Sequence, residues 1–398
     1  MSTIHNKIWW RNTNERNVGI TDRKISWLEL FYDLVYVIAI SRATHHLSAH
    51  LTFEGFLDYF YMVALIYWGW LNGSWHHDIL GANDVRTIFL TIWQMVILSA
   101  LIATLGTGEE MNLFNVTIAI LLMQLYISYL WWSEGIYDKT NKDVRLIYVG
   151  FYMLTFALIV STLFIDPAYL RVVFYTALMI NYIPPYFVTR RASHELRYEQ
   201  RLSPSMTERL GLFTIILFGE VILGVINGAT AFEKLTAYEW SVFVAAIFMV
   251  FSIWYIFFKL IGDKHVKKGY VNSNLYAFLF LPIAIALGFT GVSFENVLAA
   301  GHAHHTNVNT ELFLGLSIAL FLISIVLLTL LVESKQVYVN AMPKMRRLLI
   351  LVIAGIVVTS IISNSFSLGE FLMILLILLL ILPVMILVLW NNLELKKQ

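Results

Sequence analysis

The chain has 398 residues, of which 59% are hydrophobic and 13% charged, and its formal net charge at pH 7 is +1. Soluble domains carry about 25% charged residues, so this composition excludes an ordinary water-soluble fold and predicts an all-α polytopic membrane protein. The balanced charge forms no basic stripe for nucleic acid, and the absence of cysteine excludes disulfides, thiolate metal sites and a cysteine nucleophile.

Residues 1–25 are polar and basic, lack the apolar segment and cleavage site of a signal peptide, and read as a cytoplasmic tail. A hydrocarbon core about 30 Å thick takes ~20 apolar residues per helix. Twelve such stretches follow, at 26–45, 55–75, 87–105, 112–132, 146–164, 168–188, 207–227, 238–260, 271–292, 311–332, 348–364 and 368–390, with a second short tail at 391–398. Lys and Arg favour cytoplasmic loops. The two tails and the loops after even-numbered helices hold 22 of the 27, which predicts cytoplasmic termini and an even helix count. Of the other five, Lys234 falls in the loop after the seventh stretch, and Arg42, Arg171, Arg209 and Lys259 lie inside the first, sixth, seventh and eighth.

In the first helix Glu29 and Asp33 are spaced i, i+4 and share a face. Arg42 and His46 repeat that spacing near its outer end, beside His45. Asp33 and Arg42 lie about half a turn apart around the helix, so each is expected to seek a partner on another helix, a polar cavity or the interface. The second helix closes on Trp75-His76-His77-Asp78, followed by Asp84 and Arg86. Adjacent helical positions point about 100° apart and cannot all face one ion. A solvated cap is the plain expectation for this cluster, and a proton relay from Asp33 through His77 the functional one.

Pro184-Pro185 breaks the end of the sixth stretch, and a basic linker, 189–206, carries Arg190, Arg191, Arg197 and Arg201. The seventh helix holds Glu208, Arg209 and Glu220. Glu220 lies eleven residues past Arg209, which at 1.5 Å per residue puts it ~16 Å deep, where a carboxylate is most costly. Gly219, Gly224 and Gly228 around it leave room for another helix to approach. Pro282 and Pro383 interrupt the ninth and twelfth helices. His302, His304 and His305, between Glu295 and Glu311, are expected to form an exposed loop rather than a metal site. No His-Glu-x-x-His, Gly-x-Ser-x-Gly or phosphate-loop motif is present, and no cofactor is expected.

The chain also reads as one unit written twice. Leu30-Phe31-Tyr32-Asp33-Leu34-Val35 returns as Leu217-Phe218-Gly219-Glu220-Val221-Ile222, an offset of 187 residues between the acids. The same offset aligns 61–70 with 248–257, where three positions are identical and four exchange one aromatic for another. Six helices per repeat is an even number, so the repeats are expected to be parallel: 26–188 and 207–390, joined by 189–206, with a working site between them.

Three segments carry a family resemblance: Leu28-Glu29-Leu30-Phe31-Tyr32-Asp33-Leu34-Val35-Tyr36-Val37, Trp75-His76-His77-Asp78, and Glu208-Arg209-Leu210-Gly211-Leu212-Phe213 running into Leu217-Phe218-Gly219-Glu220. Together they resemble the low temperature requirement A family of bacterial integral membrane proteins. The resemblance covers most of the chain and implies a similar size and helix number, a multi-pass location in the bacterial cell membrane and a link to growth in the cold. It singles out Glu29, Asp33, His77, Glu208, Arg209 and Glu220. With Arg42, His76 and Asp78, these are the residues expected to bind substrate or protons. The leading functional expectation is a proton- or cation-coupled secondary transporter of a small solute or ion in the lipid bilayer. A membrane-embedded lipid-modifying enzyme, or a non-catalytic assembly or sensing protein, is the alternative.

Overall fold

The computed structural model describes residues 24–49, 51–80, 85–104, 113–137, 142–191, 202–232, 236–262, 264–300, 310–333 and 341–394. Within them the chain folds as α1 (Trp27–Ala49), α2 (Phe53–Leu80), α3 (Val85–Thr104), α4 (Leu113–Tyr137), α5 (Lys142–Ser161), α6 (Pro167–Asn181), α7 (Pro184–Arg191), α8 (Pro204–Ala229), α9 (Ala237–Phe257), α10 (Tyr270–Ala300), α11 (Thr310–Leu331), α12 (Ala341–Ile361) and α13 (Leu368–Glu394). Apart from the eight-residue α7, these are twelve helices at the places of the twelve apolar stretches. Among the described residues, seven are long and apolar enough to cross a membrane: α3, α4, α8, α9 with its π-helical extension Phe258–Gly262, α10, α11 and α13. The protein is therefore a multi-pass membrane protein.

The sixth stretch is shorter than expected. Pro184 and Pro185 have no N–H to give to an i−4 carbonyl, so α6 stops at Asn181 and tightens through Tyr182 N→Met179 O and Ile183 N→Ile180 O, both 3.1 Å. Pro184 then opens α7, where a missing N–H costs nothing.

In α1 the two faces are both made of large residues, so no apolar moment marks them. Trp27, Phe31, Leu34 and Ile38, at spacing i, i+4, i+7, i+11, are exposed, as suits lipid contact. Glu29, Asp33, Tyr36, Ile40, Ala43 and Leu47 are buried. The acids thus lie on the inner face, where other helices can satisfy them.

The chain divides into two compact units. One comprises Met1–His46, Phe56–Arg209 and Lys268–Asn274, the other Leu47–Gly55, Leu210–Lys267 and Leu275–Gln398. In the first, α3 to α6 pack each against the next, and α6 reaches α2 through Tyr175 Oη→Leu57 O (2.6 Å) and Tyr182 Oη→Ala64 O (2.7 Å). Gln124 of α4 and Asn181 of α6 exchange two amide hydrogen bonds of 3.0 Å. In the second, α11 packs on α12, α12 on α13 and α13 on α9. Here α8 crosses α10 at glycine: a Cβ on Gly224 would stand 2.8 Å from the Gly291 Cα. Lys267 caps the end of α11, its N–H donating to Leu331 O (2.8 Å) and its Nζ to Leu330 O (2.7 Å).

Candidate functional site

The first unit encloses a cluster of charge. Ser26 precedes α1 and forms a capping box with Glu29: Ser26 N donates to Glu29 Oε2 (2.9 Å) and Glu29 N to Ser26 Oγ (3.3 Å). The helix start thereby fixes the Glu29 carboxyl, and Asp33 follows one turn later on the same face. Asp33 is 0% and Arg209 1% exposed. Arg209 clasps Asp33 side-on, with Nη2 2.6 Å from Oδ1 and Nε 3.2 Å from Oδ2. The indole N–H of Trp70 donates to the same Oδ1 at 2.8 Å. Glu29 Oε1 lies 3.6 Å from Arg209 Nη1, beyond hydrogen-bond range, and Nη1 is buried without a hydrogen bond.

Two aromatic faces complete the enclosure. The Arg209 guanidinium carbon lies 5.6 Å from the Tyr32 ring centre and 5.8 Å from that of Trp70, within cation–π range. Two buried carboxylates therefore flank one buried guanidinium. Charges held out of water in this way are costly, and a carboxylate lowers that cost by taking up a proton.

Polar groups extend from this cluster along α2 and α3. Gly69 and Gly73 form a notch in α2 that admits side chains from two neighbours. A Cβ on Gly73 would collide with Tyr32 Oη and Gln94 Oε1, and Gln94 Nε2 donates to Tyr36 Oη (2.7 Å) and Gly69 O (3.0 Å). His77 bonds to Thr91 Oγ1 through Nε2, while that hydroxyl donates to Thr87 O at 2.7 Å. The hydroxyl proton is thus committed, which makes His77 Nε2 the donor. Asn72 Oδ1 accepts from both Trp131 Nε1 and Tyr152 Oη at 2.8 Å. Asn72→Leu strands these two buried donors, so a loss of roughly 2 to 4 kcal/mol is expected. Unfolding titrations in mixed micelles would measure it, and a loss under half a kcal/mol would contradict the network's role.

The residues singled out by sequence do not all meet. Glu29, Asp33 and Arg209 converge. His77 stands next to them through Tyr32, with ring centres 6.2 Å apart. The solvated cap expected for His76 and His77 is corrected: both are buried, because α2 continues to Leu80 and carries them among the helices. Asp78 accepts from Ser203 Oγ and, at 3.0 Å, from Ser205 Oγ. Ser203 is the cap of α8, receiving Met206 N at 3.0 Å, so Asp78 sits at a positive helix end. Arg42 is half-buried, Glu208 exposed, and Glu220 half-buried in the second unit. His302, His304, His305 and Asp84 lie outside the described residues. Sequence reasoning passed over Trp70, Tyr32, Gln94 and Asn72. One signal was available for Trp70, since an indole N–H in an apolar helix needs an acceptor.

Bacterial low temperature requirement A protein (LtrA) is the family description that matches the chain, over residues 24–382. An uncharacterized protein of Rhizobium meliloti (strain 1021) is 24% identical over 310 residues, covering 73% of this chain and 72% of the relative. No solved structure matches the chain. The match takes in α1, with its capped and paired acids, and continues into α13, so this multi-pass membrane protein belongs to the bacterial low temperature requirement A family.

Proposed function

We propose that this protein is a proton- or cation-coupled secondary transporter of the bacterial cell membrane, with both termini cytoplasmic. One observation carries the reading: two carboxylates, Glu29 and Asp33, are buried around the Arg209 guanidinium among apolar helices. A purely structural ion pair is satisfied by one carboxylate. Ionisable groups buried among apolar helices mark ion and proton pathways, and a second acid beside the pair adds a group that can take up and release a proton. Glu220 occupies the position corresponding to Asp33 in the second set of helices and is proposed as a second acid that binds the coupling ion.

The proposal includes the two six-helix repeats. Supporting it, the same neighbours recur within each unit: α4 with α5 and α11 with α12, α5 with α6 and α12 with α13. The second helix of each set meets the sixth, α2 with α6 through Tyr175 and α9 with α13 through Gly369 N→Tyr238 Oη at 3.1 Å. Two packed sets with one ancestral plan suit alternating access by parallel repeats.

The test is dissipation of a pH gradient in proteoliposomes holding the full chain. Flux is expected to fall to the level of empty vesicles in Asp33→Asn and Glu220→Gln, with Glu29→Gln intermediate. Wild-type flux in folded Asp33→Asn, or no flux above empty vesicles in wild type, overturns the reading.

A further inference from the structure

We infer that the groove between the starting ends of α9 and α13 binds one membrane lipid with a primary ammonium headgroup, its amine held by Glu370 and its upper acyl chain lying along the two helices.

The groove is made by residue size. Ser241 and Ala245 lie one turn apart on α9, Gly369 lines the facing side from α13, and none of the three is large enough to fill the space between two helices. Tyr238 bridges the gap at one place. Its hydroxyl accepts from Gly369 N at 3.1 Å, and its ring lies so close that a Cβ on Gly369 would stand 2.9 Å from Cε2. Beside this bridge remains a cavity of about 300 Å³. That is room for roughly ten groups the size of a water molecule, at the lower end of the range for ligand sites.

The lining changes along the helix axes from polar to apolar. Ser367 and Glu370 come from the cap and first turn of α13, and Ser241 from the second turn of α9. Val242, Ala245 and Met373 lie deeper, with Ala245 ~12 Å along α9 from its first residue. Val242 and Ala245 are buried, whereas Ser241, Glu370 and Met373 are exposed, so the groove is open on one side. Val244 and Phe248 of α9 and Ile377 of α13 are exposed as well, on helices long and apolar enough to cross a membrane. The groove therefore opens to lipid. Tyr238 and Trp240, each about half exposed, are the residue types that mark the level where headgroups give way to hydrocarbon. In the proposed topology this is the outer face.

Charge selects the headgroup. No Lys or Arg lines the cavity, so a headgroup carrying phosphate alone meets an acid and no countercharge. Glu370 caps α13 through Oε2, which accepts from Ser367 N and Oγ, both at 2.9 Å. Among the described residues its Oε1 remains open to a donor. A primary ammonium supplies both the charge and the N–H groups, whereas a quaternary one supplies only the charge. The phosphate that precedes the amine suits the two positive helix ends beside the cavity, at the starts of α9 and α13.

Native mass spectrometry of the full-length chain tests this, after release from nanodiscs that mix phosphatidylethanolamine, phosphatidylcholine and phosphatidylglycerol of identical acyl chains. Wild type is expected to retain one phosphatidylethanolamine in preference to the other two by about two- to fivefold, the range that an exposed ion pair supplies. Glu370→Gln keeps the cap, because glutamine serves at that position, and should lose the preference. Ser241→Leu fills the mouth of the groove at an exposed position and should lose the retained lipid. The two variants probe charge and space separately, so either one serves if the other does not fold. Equal retention of the three lipids in wild type, a preference for phosphatidylglycerol, or an undiminished preference in Glu370→Gln overturns the inference. So does displacement of the lipid by free ethanolamine at equal concentration, which would leave the acyl chain without a part in binding. A dimer that disappears in Ser241→Leu would put a second copy of the chain in the groove, and overturns it equally.

Discussion

Asp33→Asn is expected to destabilise the folded protein by about 3 to 5 kcal/mol, the usual cost of removing one partner from a buried ion pair. Asparagine can still accept from the Trp70 indole, so the loss falls on Arg209, whose guanidinium stays buried. Arg209→Leu should cost more than this, because it leaves both Glu29 and Asp33 without their shared countercharge. The double variant Asp33→Leu/Arg209→Leu is expected to be more stable than Arg209→Leu, since apolar replacement of a whole buried pair is often neutral. Glu29→Gln provides the contrast. Its oxygen is 3.6 Å from Arg209 and its capping role survives in glutamine, so a change of about 1 kcal/mol or less is expected. A double-mutant cycle on unfolding free energies measures the coupling. Additive losses at Asp33 and Arg209 would show that the pair contributes nothing beyond its separate packing.

The sequence carries the two acids clearly, because their i, i+4 spacing is local and an acid inside an apolar helix stands out. It also carries the requirement that Asp33 be met by another helix. It does not identify Arg209 as that partner: the two lie 176 residues apart, and several other cations compete on charge alone. Trp70 was hidden for a related reason. In a helix holding Tyr67, Trp68 and Trp70, composition does not distinguish the indole that packs from the one that donates. His76 and His77 misled because polarity at a helix end usually means solvent, whereas here the helix runs three residues past them. The helix count was legible because apolar length and basic loops report it independently. The split of the sixth stretch was legible only as a proline pair, since hydropathy does not see a missing N–H.

Glycine shows the same limit, and yields the other large expected effect. Gly219, Gly224 and Gly228 look alike in sequence, yet they separate once α8 and α10 are placed. A Cβ on Gly224 would stand 2.7 Å from the Gly291 carbonyl carbon and 2.8 Å from its Cα, and one on Gly228 3.0 Å from the Glu295 Cα. Backbone cannot rotate aside as a side chain does, so Gly224→Ala must push two helices apart, at an expected cost of about 1 to 3 kcal/mol. Gly224→Val should cost more. At Gly219 a Cβ would meet nothing within 4 Å, and its φ is not positive. Gly219→Ala is therefore expected to stabilise by about 0.4 to 1 kcal/mol, by restricting the unfolded chain. Opposite signs five residues apart on one helix are a sharper test than either magnitude. Equal destabilisation at both would mean that Gly219 also faces a helix, whereas a neutral Gly224→Ala would mean that the crossing is looser than its contacts imply.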